Sequence, residues 1–326
     1  MKAKTIKSVL RRKIRSWAET IEDPSVRDVV LQSAIVTGGS IASMLLGEKV
    51  NDYDVYFKDR DSAFAVADYY VKQYLANRPS SQEGIECYLA DDYGQPARRT
   101  LLPTELTDPR VTRLKVVVRS SGIATENETP DYEYFETVPD DEAAEEYLDA
   151  AMGMVDGASE DQIKEPKRTY RPIWLSSNAI TLSDDIQMVI RFWGEPDQIH
   201  ENYDFAHCTN YWTSWNGELV LKPAALECLL SRELIYQGSK YPVCSLIRTR
   251  KFIQRGWRIT AAQYLKMCFQ VSDLDLTDFN VLEDQMTGVD AAHFQEVLNL
   301  YRAEIENAEG KPLDRAYLLQ LLERII

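Results

Sequence analysis

A chain of 326 residues that is 44% hydrophobic can bury a substantial core and, by the usual size of domains, divides into two of them. No apolar run reaches the length of a membrane span, and the basic start MKAKTIKSVLRRKIRSW lacks the apolar centre of a signal peptide, so the expected compartment is cytoplasmic with no membrane partner. The formal net charge of −15 would argue against a polyanionic partner if it were spread evenly, but Glu126 to Glu165 holds 15 acidic residues and one basic residue and so carries nearly all of it. The rest of the chain stays available to phosphates.

In chain order, the basic amphipathic start predicts a helix, and a second helix near Ser25 to Gln32 leads into the short apolar strand AIVT. Gly38-Gly39-Ser40 follows and opens a short helix. DYDVYF then alternates as a strand, with Tyr53, Val55 and Phe57 on one side and Asp52 and Asp54 on the other. A helix is expected from Asp61 to Leu75. The stretch from about 80 to 170 reads as an insertion with strand candidates at ECYLA and RLKVVVRSS. Within it, the acidic tract 126–165 has helix-forming composition at PDDEAAEEYLDAAM and loop-like flanks. It reads chiefly as a solvated excursion; a docking site for a basic partner is the functional alternative.

Strands are expected again at NAITL and IQMVIRFW, followed by Tyr203-Asp204-Phe205, an acid between aromatics. Beyond Lys222 the pattern turns helical through PAALECLLSRELIYQG, VCSLIRTRKFIQR, TAAQYLKMCFQ, AAHFQEVLNLYRAEIENA and PLDRAYLLQLLERII. The expected architecture is α+β: a mixed sheet flanked by helices in residues 1–220, then an all-helical domain in 221–326. The five cysteines have no CxxC pair and the three histidines lack zinc-ligand spacing, so His207-Cys208 reads as ordinary packing.

The chemistry rests on two features at close spacing. Paired acids on one strand face supply the oxygen ligands that a divalent cation takes, and a Gly-Gly-Ser turn opening a helix offers converging N–H groups to a phosphate. In this pattern the chain resembles the DNA polymerase beta-like nucleotidyltransferase superfamily. The segment GGSIASMLLGEKVNDYDVYF is most similar to the first motif of CCA-adding enzymes and bacterial poly(A) polymerases. The resemblance implies a nucleotidyltransferase-type sheet in which Asp52 and Asp54 hold two Mg²⁺ (or Mn²⁺) ions while Gly38, Gly39 and Ser40 hold an NTP.

Two alignments place Asp204 differently. In one it is a third metal-binding carboxylate on a later strand; in the other DFAHCTNYW stands at the family's RDFTIN motif and Asp204 meets the ribose. YPVCSLIRTRKFIQRGWRI resembles the neck helix of the same enzymes. It implies nucleotide contacts from Arg248 and Lys251 and an RNA or other phosphate contact from Arg250, Arg255 and Arg258. The departures point away from CCA addition itself: Ala42-Ser43 replaces Arg-Asp, Asn202-Tyr203 replaces arginines, and Lys240 to Cys244 stands where a Glu-Asp-x-x-Arg element belongs. The expected reaction is metal-dependent NMP transfer from an NTP to an acceptor hydroxyl. The basic neck favours an RNA 3′ end, that of tRNA included, over a protein or a small molecule; a non-catalytic scaffold of the same fold is the contrasting class.

Overall fold

The computed structural model describes residues 1–76, 85–90, 96–97, 114–120, 170–175, 178–278, 281–282 and 285. The acidic tract and the two last helix candidates lie outside them. Apolar residues recur along the start of the chain at helical spacing, and α1 (Ala3–Thr20) accordingly buries Ile6, Val9, Leu10, Ile14 and Trp17, with Lys13 buried among them, while Lys4, Arg11 and Arg15 stay exposed. Asp23 caps α2 (Pro24–Ser33) by accepting from the Ser25 backbone N–H at 2.8 Å, with Pro24 at the position where a missing N–H costs nothing.

The chain then runs through β1 (Ala34–Thr37), α3 (Gly39–Leu46), β2 (Tyr53–Phe57) and α4 (Arg60–Ala76). A separate two-stranded antiparallel pair follows, β3 (Ile85–Ala90) with β4 (Lys115–Ser120). After it come β5 (Pro172–Leu175), β6 (Ala179–Leu182), β7 (Ile186–Trp193), the short helix α5 (Pro196–His200), β8 (Tyr211–Thr213) and β9 (Leu219–Val220). Seven strands form one sheet in the order β5-β6-β7-β2-β1-β8-β9, mixed because β2 and β7 run parallel while the other pairs are antiparallel.

Register decides what each face of this sheet carries. Val36 pairs with both Val55 and Trp212, and Val55 with Met188, so these residues share a face, and they join the core formed with α1, α2 and α4. Trp17 donates its indole N–H to the Tyr70 hydroxyl at 2.6 Å, tying α1 to α4 in that core. Thr37 pairs with Asp54 and Tyr211, and Asp54 with Gln187, which puts a polar row on the other face.

The sheet is completed by β8 and β9 rather than by Tyr203-Asp204-Phe205. Those three residues form no strand of it; Phe205 makes an isolated bridge to Tyr236. Among the described residues after Lys222, the helices are α6 (Pro223–Ser231), α7 (Pro242–Gln254) and α8 (Ala261–Ser272). The helix expected across PAALECLLSRELIYQG stops at Ser231. Arg232 turns to φ 54°, and Leu234 donates its backbone N–H to the Arg258 carbonyl, so extended pairing replaces the last helical turns. Two compact units result. One runs through Glu201 and includes His207–Leu229; the other takes Asn202–Ala206 and continues from Leu230. Among the described residues no helix is long and apolar enough to cross a membrane.

Candidate functional site

In the first unit, the candidate site is built where β1 ends. Gly38 adopts φ 86° and ψ −150°, which only glycine takes readily, and it precedes α3 with no side-chain cap on the helix start. A second constraint acts on the same atom: a Cβ at Gly38 would come within 2.6 Å of Asp54 Oδ2. The carboxylate and the glycine turn therefore lie against each other, as the Thr37–Asp54 register requires. Asp52 stands two residues earlier, exposed, just before β2 begins. Gly39 differs from its neighbour, being exposed with open space where a Cβ would stand. Ser40, one residue into the helix, is buried and its hydroxyl has no hydrogen-bond partner among the described residues.

What holds this turn is a polar chain that sequence reasoning missed. The Gly38 N–H donates to the Cys208 carbonyl at 3.1 Å, and the Thr37 hydroxyl donates to the Asn210 carbonyl at 2.9 Å. His200 Nε2 lies 2.8 Å from that hydroxyl, and Lys222 Nζ lies 3.1 Å from His200 Nδ1. With the threonine proton spent on a carbonyl and an ammonium facing Nδ1, the imidazole is neutral with its proton on Nε2. Burial, reinforced by the Lys222 charge and opposed by Asp197, holds the His200 pKa down to about 4. Lys222 also donates to Asp197 at 2.7 Å and keeps that carboxyl below its ordinary value. No local signal marks His200, because Thr37 and His200 are 163 residues apart. His207 is packed as expected, and burial alone takes its pKa down to about 3.

The second unit holds Asp204, Arg248, Lys251, Arg250, Arg255 and Arg258. Asp204 is buried, and its Oδ2 lies 3.0 Å from Arg248 Nη1 in a charge contact. Its backbone carbonyl accepts from the Gln237 N–H at 2.8 Å. Phe205 is fully buried beside it, edge-on to Tyr236 and Phe252. The acid thus arrives already matched with a cation. Helical spacing sets Arg248 and Lys251 along one side of α7 and Arg250 on another, and Arg255 follows the helix's last residue. Arg250 and Arg255 are exposed. Arg258 has a local task, its guanidinium donating to the Ser231 carbonyl at the end of α6 at 3.1 Å.

The arrangement offers hard oxygen donors, Asp52 and Asp54, next to an uncapped helix start, and that donor set suits Mg²⁺ or Mn²⁺. Among the described residues no group of three or more His, Cys, Asp or Glu side chains is gathered to hold a metal ion. Cys208, Cys228, Cys244 and Cys268 are not joined in disulfides.

Comparison with known proteins gives a family model, described as Gad2: Gabija anti-defense 2 family protein, that matches residues 8–232. No curated protein matches the chain. Among solved structures, the chain is similar to the Thermotoga maritima CCA-adding enzyme complexed with tRNA, at 12% identity and a TM-score of 0.36, with 80% of this chain and 45% of that chain covered. The chain therefore spans less than half the length of that enzyme.

Proposed function

We propose that this chain, which belongs to the Gabija anti-defense 2 family, counters Gabija defence as a metal-dependent nucleotidyltransferase that moves an NMP from an NTP to an acceptor hydroxyl. The reading rests on the contact of the Asp54 carboxylate with the Gly38 turn at the start of α3. An acid on a buried strand beside a glycine-only turn brings two unlike requirements of the reaction to one place: a seat for cations and a seat for polyphosphate.

Asp52 and Asp54 would hold the divalent cations, whose chemistry is to neutralise the triphosphate and acidify the attacking hydroxyl. The backbone N–H groups of Gly39 and Ser40, with the Ser40 hydroxyl, would hold the β and γ phosphates, and the open space at Gly39 lets them approach. The acceptor oxygen attacks the α-phosphorus, the bond to the β-phosphate breaks, and pyrophosphate leaves; the hydroxyl proton passes to a carboxylate of the pair or to water. Thr37, His200 and Lys222 hold the turn in place through uncharged and ammonium hydrogen bonds that add no negative charge next to the phosphates. Rate enhancement comes from positioning and charge neutralisation, with no covalent enzyme intermediate. Arg248 and Lys251 would handle the nucleotide within their own unit, and Asp204, matched by Arg248, would take no part in the chemistry.

The acceptor to test first is an RNA 3′ end, because of the exposed cations on α7. Labelled NTPs, incubated with the protein and Mg²⁺ beside cellular RNA and beside protein extract, should label one of the two, and the label should vanish in Asp52→Asn/Asp54→Asn. The same variant should lose relief of Gabija defence in cells that carry it. A second reading, a non-catalytic scaffold that acts by binding, is favoured by the pairing of Asp204 with Arg248 and by the small donor set among the described residues. It predicts that the double variant keeps relief of defence and that no NTP raises the melting temperature.

A further inference from the structure

On the face of the sheet opposite Thr37 and Asp54, a cavity of about 260 Å³ opens between α1 and the turn after β8. Arg11 and Arg15 border it, one helical turn apart on the exposed side of α1, and among the described residues no carboxylate lines it. Neither guanidinium makes a hydrogen bond or ion pair with the described residues. Like charges at this spacing repel unless a counter-charge joins them.

The opposite wall is a built turn. The Ser214 hydroxyl accepts from the Ala34 N–H at 3.0 Å and donates to the Val30 carbonyl at 3.1 Å, anchoring it to α2 and β1. The Gly217 N–H donates to the Thr213 carbonyl at 2.9 Å, and Asn216 accepts from the Glu218 N–H at 3.0 Å and from the Thr213 hydroxyl. Glu218 is engaged by the Asn216 amide at 3.3 Å. Gly217 has φ 66°, and a Cβ there would come within 2.6 Å of Arg11 Nη2, so the turn leaves the guanidinium its space. Trp215, half-buried, borders the cavity, with Lys58 Nζ 5.2 Å from its ring centre. Trp212 borders it too; it is 1% exposed, and its indole N–H, a donor only, meets no acceptor among the described residues.

We propose that this cavity is a second site that binds a nucleotide unit, the phosphate between Arg11 and Arg15 and the base against Trp215. Two unpartnered guanidiniums, with no carboxylate among the described lining residues, specify an anion with several acceptor oxygens. The indole ring beside them selects an anion joined to a flat ring. The volume is below the usual range for whole small-molecule sites, which fits one phosphate and its adjoining ring. The nucleotide unit comes either from a free mononucleotide or from a single strand. The site is independent of the NTP seat, lying on the other side of the sheet.

The test uses the full chain in EDTA, so that metal-dependent triphosphate binding is silent, with a labelled 5′-phosphorylated hexa-adenylate as the probe. AMP, unlabelled hexa-adenylate and inorganic phosphate serve as competitors. Arg11→Gln/Arg15→Gln should weaken probe binding at least tenfold at unchanged melting temperature, and Trp215→Leu severalfold. Arg11→Lys/Arg15→Lys, which keeps the charge and the helix surface, should lose affinity in part because the forked donor geometry is gone. Competition by AMP at concentrations comparable to the oligomer identifies a free nucleotide, and competition by the oligomer alone identifies a strand. Binding that survives both arginine variants, absent saturable binding, or inorganic phosphate competing as well as AMP with Trp215→Leu silent would overturn the proposal.

Discussion

Asp54 and Asp204 each follow a tyrosine and precede an apolar residue, yet their surroundings do opposite things. Asp54 lies against a glycine turn whose helix start has no side-chain cap and whose Ser40 hydroxyl meets no partner among the described residues. Asp204 is matched by Arg248 and set beside a closed cluster of Phe205, Tyr236 and Phe252, so its charge is balanced inside the fold. The difference teaches that an acid between aromatics is not a site by itself; what matters is whether neighbouring polar atoms are already committed.

The sharpest way to break that contrast is by activity. Asp52→Asn/Asp54→Asn should lower NMP transfer by roughly a thousandfold, the several kcal/mol of charge stabilisation that a cation site supplies. Labelled-NTP assays check it, with the melting temperature held or raised as like charges are removed. If Asp204→Asn alone costs as much while stability is intact, the acid of the second unit takes part in chemistry and the contrast fails.

A smaller effect separates the two glycines. Gly38→Ala should destabilise the fold by about 3 kcal/mol, from a backbone conformation that L residues avoid and a methyl group placed on the Asp54 carboxylate. Gly39→Ala meets no neighbour, so it should change stability by well under 1 kcal/mol while weakening Mg²⁺-dependent NTP binding. Urea unfolding and thermal shift with NTP distinguish the two.

The histidine behind the turn gives a pH signature. His200 is held down to about 4 against an ordinary 6.5, so the unfolded chain binds a proton that the folded chain refuses. Its contribution is complete above pH 6.5 and is lost as pH falls toward 4, on the order of 3 kcal/mol at most. His200→Gln should flatten that acid limb in urea titrations. The slope that remains belongs largely to His207, whose pKa burial holds down to about 3.

The smallest expected effect tests the Asp204 pair. Arg248→Met should destabilise by roughly 1–2 kcal/mol, less than for a fully buried pair because Arg248 is 42% exposed. Asp204→Asn/Arg248→Met should recover most of that loss, since no unmatched charge is left. A double-mutant cycle by chemical denaturation reads the coupling.

How much of this was legible follows from chain distance. The order of the head's elements from the first helix to β2 was legible, because periodicity, caps and the Gly38-Gly39-Ser40 to Asp54 spacing act within some twenty residues. The stop of α6 at Ser231 was not, since the Arg258 carbonyl that takes the Leu234 N–H lies far along the chain. The strand expected at Tyr203-Asp204-Phe205 failed for a related reason: alternation fits a strand, but Phe205 found its cover in Tyr236 and Phe252 rather than in the sheet.

The sequence by itself determined which residues carry acid, glycine and helix-forming character, and hence the expectation of two carboxylates close to a glycine turn. Only the tertiary structure decided that Asp54 touches Gly38, that His200 stands neutral behind Thr37, and that Arg11 and Arg15 meet Trp215 across a cavity. The physical reason is that local pattern is set by backbone geometry over a few residues, whereas desolvation and charge matching are settled by whatever distant groups packing brings alongside.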